Sequence, residues 1–146
     1  YYERAFRSIG IDIPDDLLDR AASSTRGFPY LMQLIGYYVI QYTRQGEKVT
    51  EEIMAKSEKS AMRDMEDNVF KPILAPLSDN DRVFLKALAR CGETVTTARL
   101  QASLGKKGPA LQPYRKRLLE AGVIEAPRRG ELVFAVPYLP EYLLKK

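Results

Sequence analysis

One stretch, Leu111 to Phe134, constrains this chain of 146 residues more than any other. It predicts a short basic helix over Pro113–Ala121 and a strand over Val123–Ala126. A turn, Pro127–Arg128–Arg129–Gly130, and a return strand, Glu131–Ala135, follow. Two apolar segments that flank a Gly-containing turn make a hairpin.

A basic helix feeding directly into a basic-tipped hairpin is the end of a winged helix-turn-helix. The elements before it have the lengths such a fold needs. Ser78–Asp79–Asn80–Asp81 is a capping-box start with Asp in place of the usual Glu. Val83, Phe84, Ala87 and Leu88 form the core face of the helix it opens, and Cys91–Gly92 ends it. Val95, before the N-cap Thr96, pairs with Leu100 as a hydrophobic staple. Helix Thr97–Leu104 is short and stops at Gly105. Lys106–Lys107–Gly108–Pro109 is the turn into the basic helix. Val136–Pro137 links the hairpin to a short terminal helix over Tyr138–Lys146.

The first half reads as four helices. Tyr2, Phe6 and Ile9 have helical spacing over Tyr1–Ile9, and Gly10 ends that helix. Ile11–Asp12–Ile13 is an extended link. Pro14 suits a first helical position, with Asp15 and Asp16 at the positive end of the dipole and Leu17, Leu18, Ala21 and Ala22 as the stripe. After Gly27, Pro29 opens a helix whose Leu31, Leu34, Ile35, Tyr38, Val39 and Tyr42 bury one wide face. Thr50 caps a long helix to about Phe70, marked by Ile53, Ala61, Met65 and Val69. Pro72 and Pro76 break the pattern. The expected fold is mainly α: a helical bundle, 1–76, then a winged helix-turn-helix with a small β-hairpin, 77–146.

Charge divides at the same place. Residues 1–76 carry 10 Lys/Arg and 12 Asp/Glu; residues 77–146 carry 13 and 7. The half with the hairpin therefore suits an acidic partner such as nucleic acid. On the basic helix, Leu111, Leu118 and Leu119 face inward with Tyr114 half-buried. Gln112, Arg115 and Lys116 then face out, and Arg117 lies on a flank. Outward cations on a third helix can reach phosphates and base edges in a major groove. Arg128 and Arg129 at the hairpin tip, and Lys106 and Lys107 before the helix, extend that surface. Only Gln112 and Arg115 are base-reading types, so the expected sequence specificity is weak. The alternative is a solvated basic face on a winged helix used for protein packing. Phe134, Tyr138 and Tyr142 of the aromatic tail would then supply the surface.

Other chemistries lack their residues. The chain has no histidine, which excludes histidine triads and histidine-containing zinc sites within this stretch. Its single cysteine, Cys91, reads as a core thiol at a helix end, and one cysteine fits a reducing compartment, the cytoplasm. No run reaches the ~18 apolar residues of a membrane span. Asp15–Asp16 and Glu51–Glu52 are adjacent on helix starts and do not face each other, so neither is a catalytic dyad. Gly105–Lys106–Lys107–Gly108 lacks the spacing of a phosphate loop and does not follow a strand. Tyr30, Tyr37, Tyr38 and Tyr42 read as packing residues. No catalytic set and no metal site is expected here.

Three stretches together resemble the C-terminal part of prokaryotic AAA-type ATPases related to archaeal ATPases and origin-recognition initiators. Thr25 to Gly36 is similar to the helix-G-x-P-helix segment of the lid. Val69–Pro72 through Leu77–Arg82 is similar to the crossover from lid to winged helix. Tyr114–Ile124 with Phe134–Leu139 is similar to the third helix, wing and tail. The resemblance implies a helical AAA-type lid before the winged helix. It also implies an upstream ATPase domain before Tyr1 that holds ATP and Mg and acts as a partner of this stretch. Many AAA lids offer an arginine from a G-x-x-R corner. Tyr30 stands at that position, and Arg26, one residue before Gly27, is the candidate nucleotide contact. The family implies either a DNA-binding winged helix under nucleotide control or an autoregulatory module of a signalling-type ATPase.

Overall fold

The computed structural model describes residues 2–44 and 46–145. The expected start of the first helix at Tyr1 and the end of the tail helix at Lys146 lie outside those residues. The chain forms two compact units that divide between Asn68 and Val69.

The first unit holds α1 (Tyr2–Ser8), α2 (Asp15–Ser24), α3 (Pro29–Tyr42) and α4 (Glu51–Met65). Helices α3 and α4 pack most closely. Leu31, Leu34, Ile35 and Val39 of α3 are buried, as are Met54, Ala61 and Met65 of α4. Thr50 caps α4 as expected, its hydroxyl accepting from the Ile53 N–H. Tyr38 donates to the Asp64 carboxylate, and Tyr42 bonds Ser60 at 2.8 Å. Helix α2 is tied to α4 through Arg20 and Glu58. Tyr2 stacks on Phe6 and donates to the Met32 carbonyl at 2.6 Å. Its ring lies so near Gly36 that a Cβ there would sit 3.3 Å away.

Ile9 was expected on the inner face of α1 and is instead 43% exposed. The helix stops at Ser8, and Gly10 takes a positive φ of 75°. The reversal returns Ile11 to the core in its place, its N–H bonded to the Phe6 carbonyl at 3.0 Å.

Pro72 does not break the helix as expected. Helix α4 passes into a π-helical turn, Glu66–Phe70, and then α5, Lys71–Leu74, with Pro72 in its first turn. Pro72 cannot donate, and in an α-helix its ring would crowd the carbonyl four residues earlier. A π-turn widens the ladder just ahead of it, so the chain stays helical. Phe70 lies 5.1 Å, ring to ring, from Tyr142. Residues 69–76, assigned by sequence to the first half, therefore fall in the second unit.

The second unit continues with α6 (Asp79–Cys91), β1 (Val95–Thr96), α7 (Thr97–Leu104) and α8 (Gly108–Glu120). Strands β2 (Ile124–Glu125) and β3 (Glu131–Phe134) and helix α9 (Leu139–Leu144) complete it. This is a winged helix-turn-helix. The three strands are antiparallel in the order β1-β3-β2, with Val95 opposite Leu132 and Ile124 opposite Phe134. Strand β1 was not expected; at two residues it carries no alternation to read. Phe84, Leu85 and Leu88 of α6, Leu100 of α7 and Leu118 of α8 are the central core. Val83, expected among them, is 54% exposed. The buried arc of α6 is centred on Leu88, and at 100° per residue Val83 falls just past its edge. Tyr142, expected on the surface of the tail, is buried with Leu139 and Leu143 in α9.

Hydrogen bonding to Asp64 pushes the Tyr38 hydroxyl up to about 12, with burial, the Asp64 charge and the neighbouring tyrosines adding to it. An unfolded tyrosine loses its proton near pH ~10. The folded state keeps that proton longer, so this contribution to stability is complete below pH ~10 and disappears as pH rises toward 12. Urea midpoints measured across that window should fall more steeply for the natural chain than for Tyr38→Phe. Parallel curves would remove the bond from the stability of the first unit.

Candidate nucleic-acid interface

Helix α8 presents the candidate surface, and its setting starts at the opening of α6. Ser78 and Asp81 form a reciprocal capping box, with both N–H···O contacts at 3.1 Å. The other Asp81 carboxylate oxygen accepts from Arg117 of α8 at 2.9 Å. Asp81 is 4% exposed. Burial pushes its carboxyl up, but the bonds from Arg117 and Ser78 and the Arg117 charge outweigh it and hold the group below the usual range. Arg117 also lies 5.0 Å from the centre of the Tyr114 ring. It was expected to flank the outer face; these contacts commit it to positioning the helix.

Leu111 and Leu118 are buried, which points the opposite face of α8 outward. Gln112 and Lys116 are exposed and Arg115 is half-buried. The three line a shallow groove of about 680 Å³ with Pro109, Pro113, Leu119 and Glu120. Leu119, expected to face inward, is half-buried in that groove. It sits 100° round the helix from Leu118, at the margin of the core face.

The helix begins earlier than expected. It starts at Gly108, with Pro109 in the first turn and Pro113 inside it. Pro113 removes one bond to the Pro109 carbonyl. Both residues are exposed, so water can take that acceptor. The extension makes Lys107 the N-cap. Lys106 beside it lies 5.8 Å from the Tyr114 ring.

The wing is the turn from β2 to β3. Arg128 and Arg129 are exposed at its tip, and Gly130 turns the chain with φ 78°. The Gly130 carbonyl accepts from the Thr97 N–H at 2.8 Å and from its hydroxyl at 3.2 Å. The wing is thereby fastened to the start of α7. Arg99, in the first turn of α7 two residues after Thr97, is a further exposed cation, outside the set expected from sequence.

Arg26, the candidate nucleotide contact, belongs to the first unit and is exposed. It adopts φ 47°, followed by Gly27 at φ 74°. Thr25 beneath it is buried, donating to Ala22 at 2.7 Å and accepting from Gly27. The hydroxyl of Tyr30 accepts from Asn68 at 3.2 Å. Among the described residues, no helix is long and apolar enough to cross a membrane, and no group of three or more His, Cys, Asp or Glu could hold a metal ion.

Asp81→Ala removes a helix cap and leaves Arg117 without its partner, a combined loss of about 2 kcal/mol. A lowered carboxyl pKa means that this stability is present above pH ~4 and is lost as pH falls through the folded value. Urea midpoints from pH 7 to pH 2 should therefore fall less steeply for Asp81→Asn than for the natural chain. Equal acid limbs would show that Asp81 titrates alike folded and unfolded.

Residues 67–143, just over half of the chain, match the model of a family described as a domain of unknown function, DUF8462. No curated protein matches. Two solved structures, both variants of RuvB from Thermotoga maritima, align at a TM-score of 0.40 with 24% and 25% identity. The alignments cover 98% of this chain and 46% of the RuvB chains, so it spans about half their length. A likeness at that score fixes neither fold nor role.

Proposed function

Because the chain belongs to the DUF8462 family, whose description names no activity, we propose its role from the second unit: a winged helix that binds duplex DNA. The observation that carries this reading is the division of labour on α8. Arg117 is held against Asp81, whereas Gln112, Arg115 and Lys116 line an open groove on the outward face. Lys106 and Lys107 before the helix and Arg128 and Arg129 on the wing add exposed cations. The whole unit carries 14 Lys/Arg against 7 Asp/Glu over residues 69–146. Phosphate contacts would supply most of the affinity, and Gln112 and Arg115 alone would touch base edges, so specificity is weak.

The reading places this winged helix and the helical bundle at the C-terminal end of an AAA-type ATPase. The order of the three resembling stretches supports it. ATP and Mg would then be held by an upstream domain ahead of Tyr1, in the cytoplasm. This stretch would be a binding module that moves with nucleotide state, with no reaction centre of its own. The competing reading, a protein-docking tail, loses a main element of its surface because Tyr142 is buried.

Fluorescence anisotropy with a random duplex tests the DNA reading. Six phosphate contacts, from Lys106, Lys107, Arg115, Lys116, Arg128 and Arg129, give a slope of about −5 in log affinity against log salt. Reversing Arg115, Lys116, Arg128 and Arg129 to Glu should weaken binding by more than about a hundredfold at low salt. Unchanged affinity in that variant, with unchanged circular dichroism, would sink the proposal.

A further inference from the structure

A second concavity in the same unit is built from other residues. It is formed by α5, α6 and α9 and has a volume of about 360 Å³. That lies within the range of small-molecule sites. Leu74, Ala75, Tyr142 and Leu143 form its apolar wall, and Lys71, Arg82 and Lys86 bring three cationic side chains to it. Among the described residues, no carboxylate is part of its lining.

Arg82 is the unusual member. One of its terminal nitrogens, Nη2, donates to the Leu74 carbonyl at 2.7 Å. The same carbonyl accepts from the Leu77 N–H at 3.1 Å, so both of its lone pairs are engaged. The Arg82 Nε–H is buried and has no acceptor. A buried donor on a charged group is costly to leave unmatched. The fold has nevertheless fixed this guanidinium at the edge of an apolar cavity, beside two lysines. A planar fork of N–H donors is the group best matched to a carboxylate.

We propose that this cavity binds a small carboxylate with an apolar body. The carboxylate meets the Arg82 guanidinium, and a small adjustment of the side chain brings Nε–H into that contact. The alkyl or aryl body lies along Leu74, Tyr142 and Leu143. An inorganic anion would meet the Arg82 guanidinium but leave the apolar wall unused, so the wall selects for the amphiphile. The site shares no residue with the α8 groove and stands independently of DNA binding.

The test uses the whole chain and three probes: hexanoate, hexanamide and inorganic phosphate. Saturation-transfer NMR and calorimetry read binding. Hexanoate should bind with a Kd on the order of 1 mM, and hexanamide and phosphate at least about tenfold more weakly. Arg82→Met should weaken hexanoate about tenfold, and Arg82→Lys should restore only part of it. Because Arg82→Met also removes the Leu74 contact, Ala75→Leu provides a second variant. It narrows the cavity from an exposed position while leaving Arg82 in place, and it should block hexanoate without lowering Tm. No hexanoate binding, equal binding of hexanamide or phosphate, or full binding by Ala75→Leu would each overturn the proposal.

Discussion

The Asp81 carboxylate is the interaction on which the second unit turns. A buried carboxylate is tolerated only where hydrogen bonds replace its water. Ser78 supplies these from the start of α6, and Arg117 supplies them from α8, 36 residues on. One side chain therefore closes the first turn of one helix and fixes the roll of another. Tyr114 completes the joint, its ring 6.3 Å from Phe84 and within reach of the Arg117 guanidinium. An Asp where capping boxes more often carry Glu fits this double use. Its shorter side chain keeps the carboxylate close to the helix start, where little conformational entropy is lost in holding it.

The first unit solves a different problem. Helix α3 has no charged residue between Pro29 and Tyr42. Such a helix would ordinarily be buried all round. Tyrosines let it be half-covered instead: each ring packs as an apolar body while its hydroxyl reaches a polar partner. Tyr38 and Tyr42 stack with centroids 5.6 Å apart and reach Asp64 and Ser60 of α4. Lys56 lies 4.2 Å over the Tyr42 ring. Tyr37 and Ile40 remain exposed on the far side.

Features encoded within a few residues were legible in the sequence. Thr50, Ser78 and Thr96 act as caps because their partners lie three residues away. Gly105 ends α7 at φ 65° because only a local left-handed turn is required. The outward set Gln112 and Lys116 follows from helical phase with Leu111 and Leu118 in the core. Features set by distant partners were not legible. Arg117 reads as one more surface cation until Asp81 is seen beside it. Strand β1 exists because Leu132 and Glu131 lie opposite Val95 and Thr96. Pro72 does not break the chain's helix, and Pro113 lies inside the helix it is expected to open. A π-turn accommodates the first, and solvent takes the acceptor freed by the second.

The two ends of α8 meet different constraints, and the contrast bears on what the surface can read. Ahead of the helix, Lys106 and Lys107 are carried on the turn between α7 and α8, with Lys106 over Tyr114. Beyond it, the wing arginines sit on a hairpin whose Gly130 carbonyl is fastened to Thr97. A fastened hairpin holds Arg128 and Arg129 in a narrower range of positions than a free loop would, which lowers the entropy lost on contact. The helix between carries two side chains suited to base edges. Under the proposed DNA reading, cations at both ends with little base-reading chemistry in the middle would favour phosphate contacts over base contacts. Register on a duplex would then be set by backbone geometry and groove shape, with Gln112 and Arg115 adding a modest local preference.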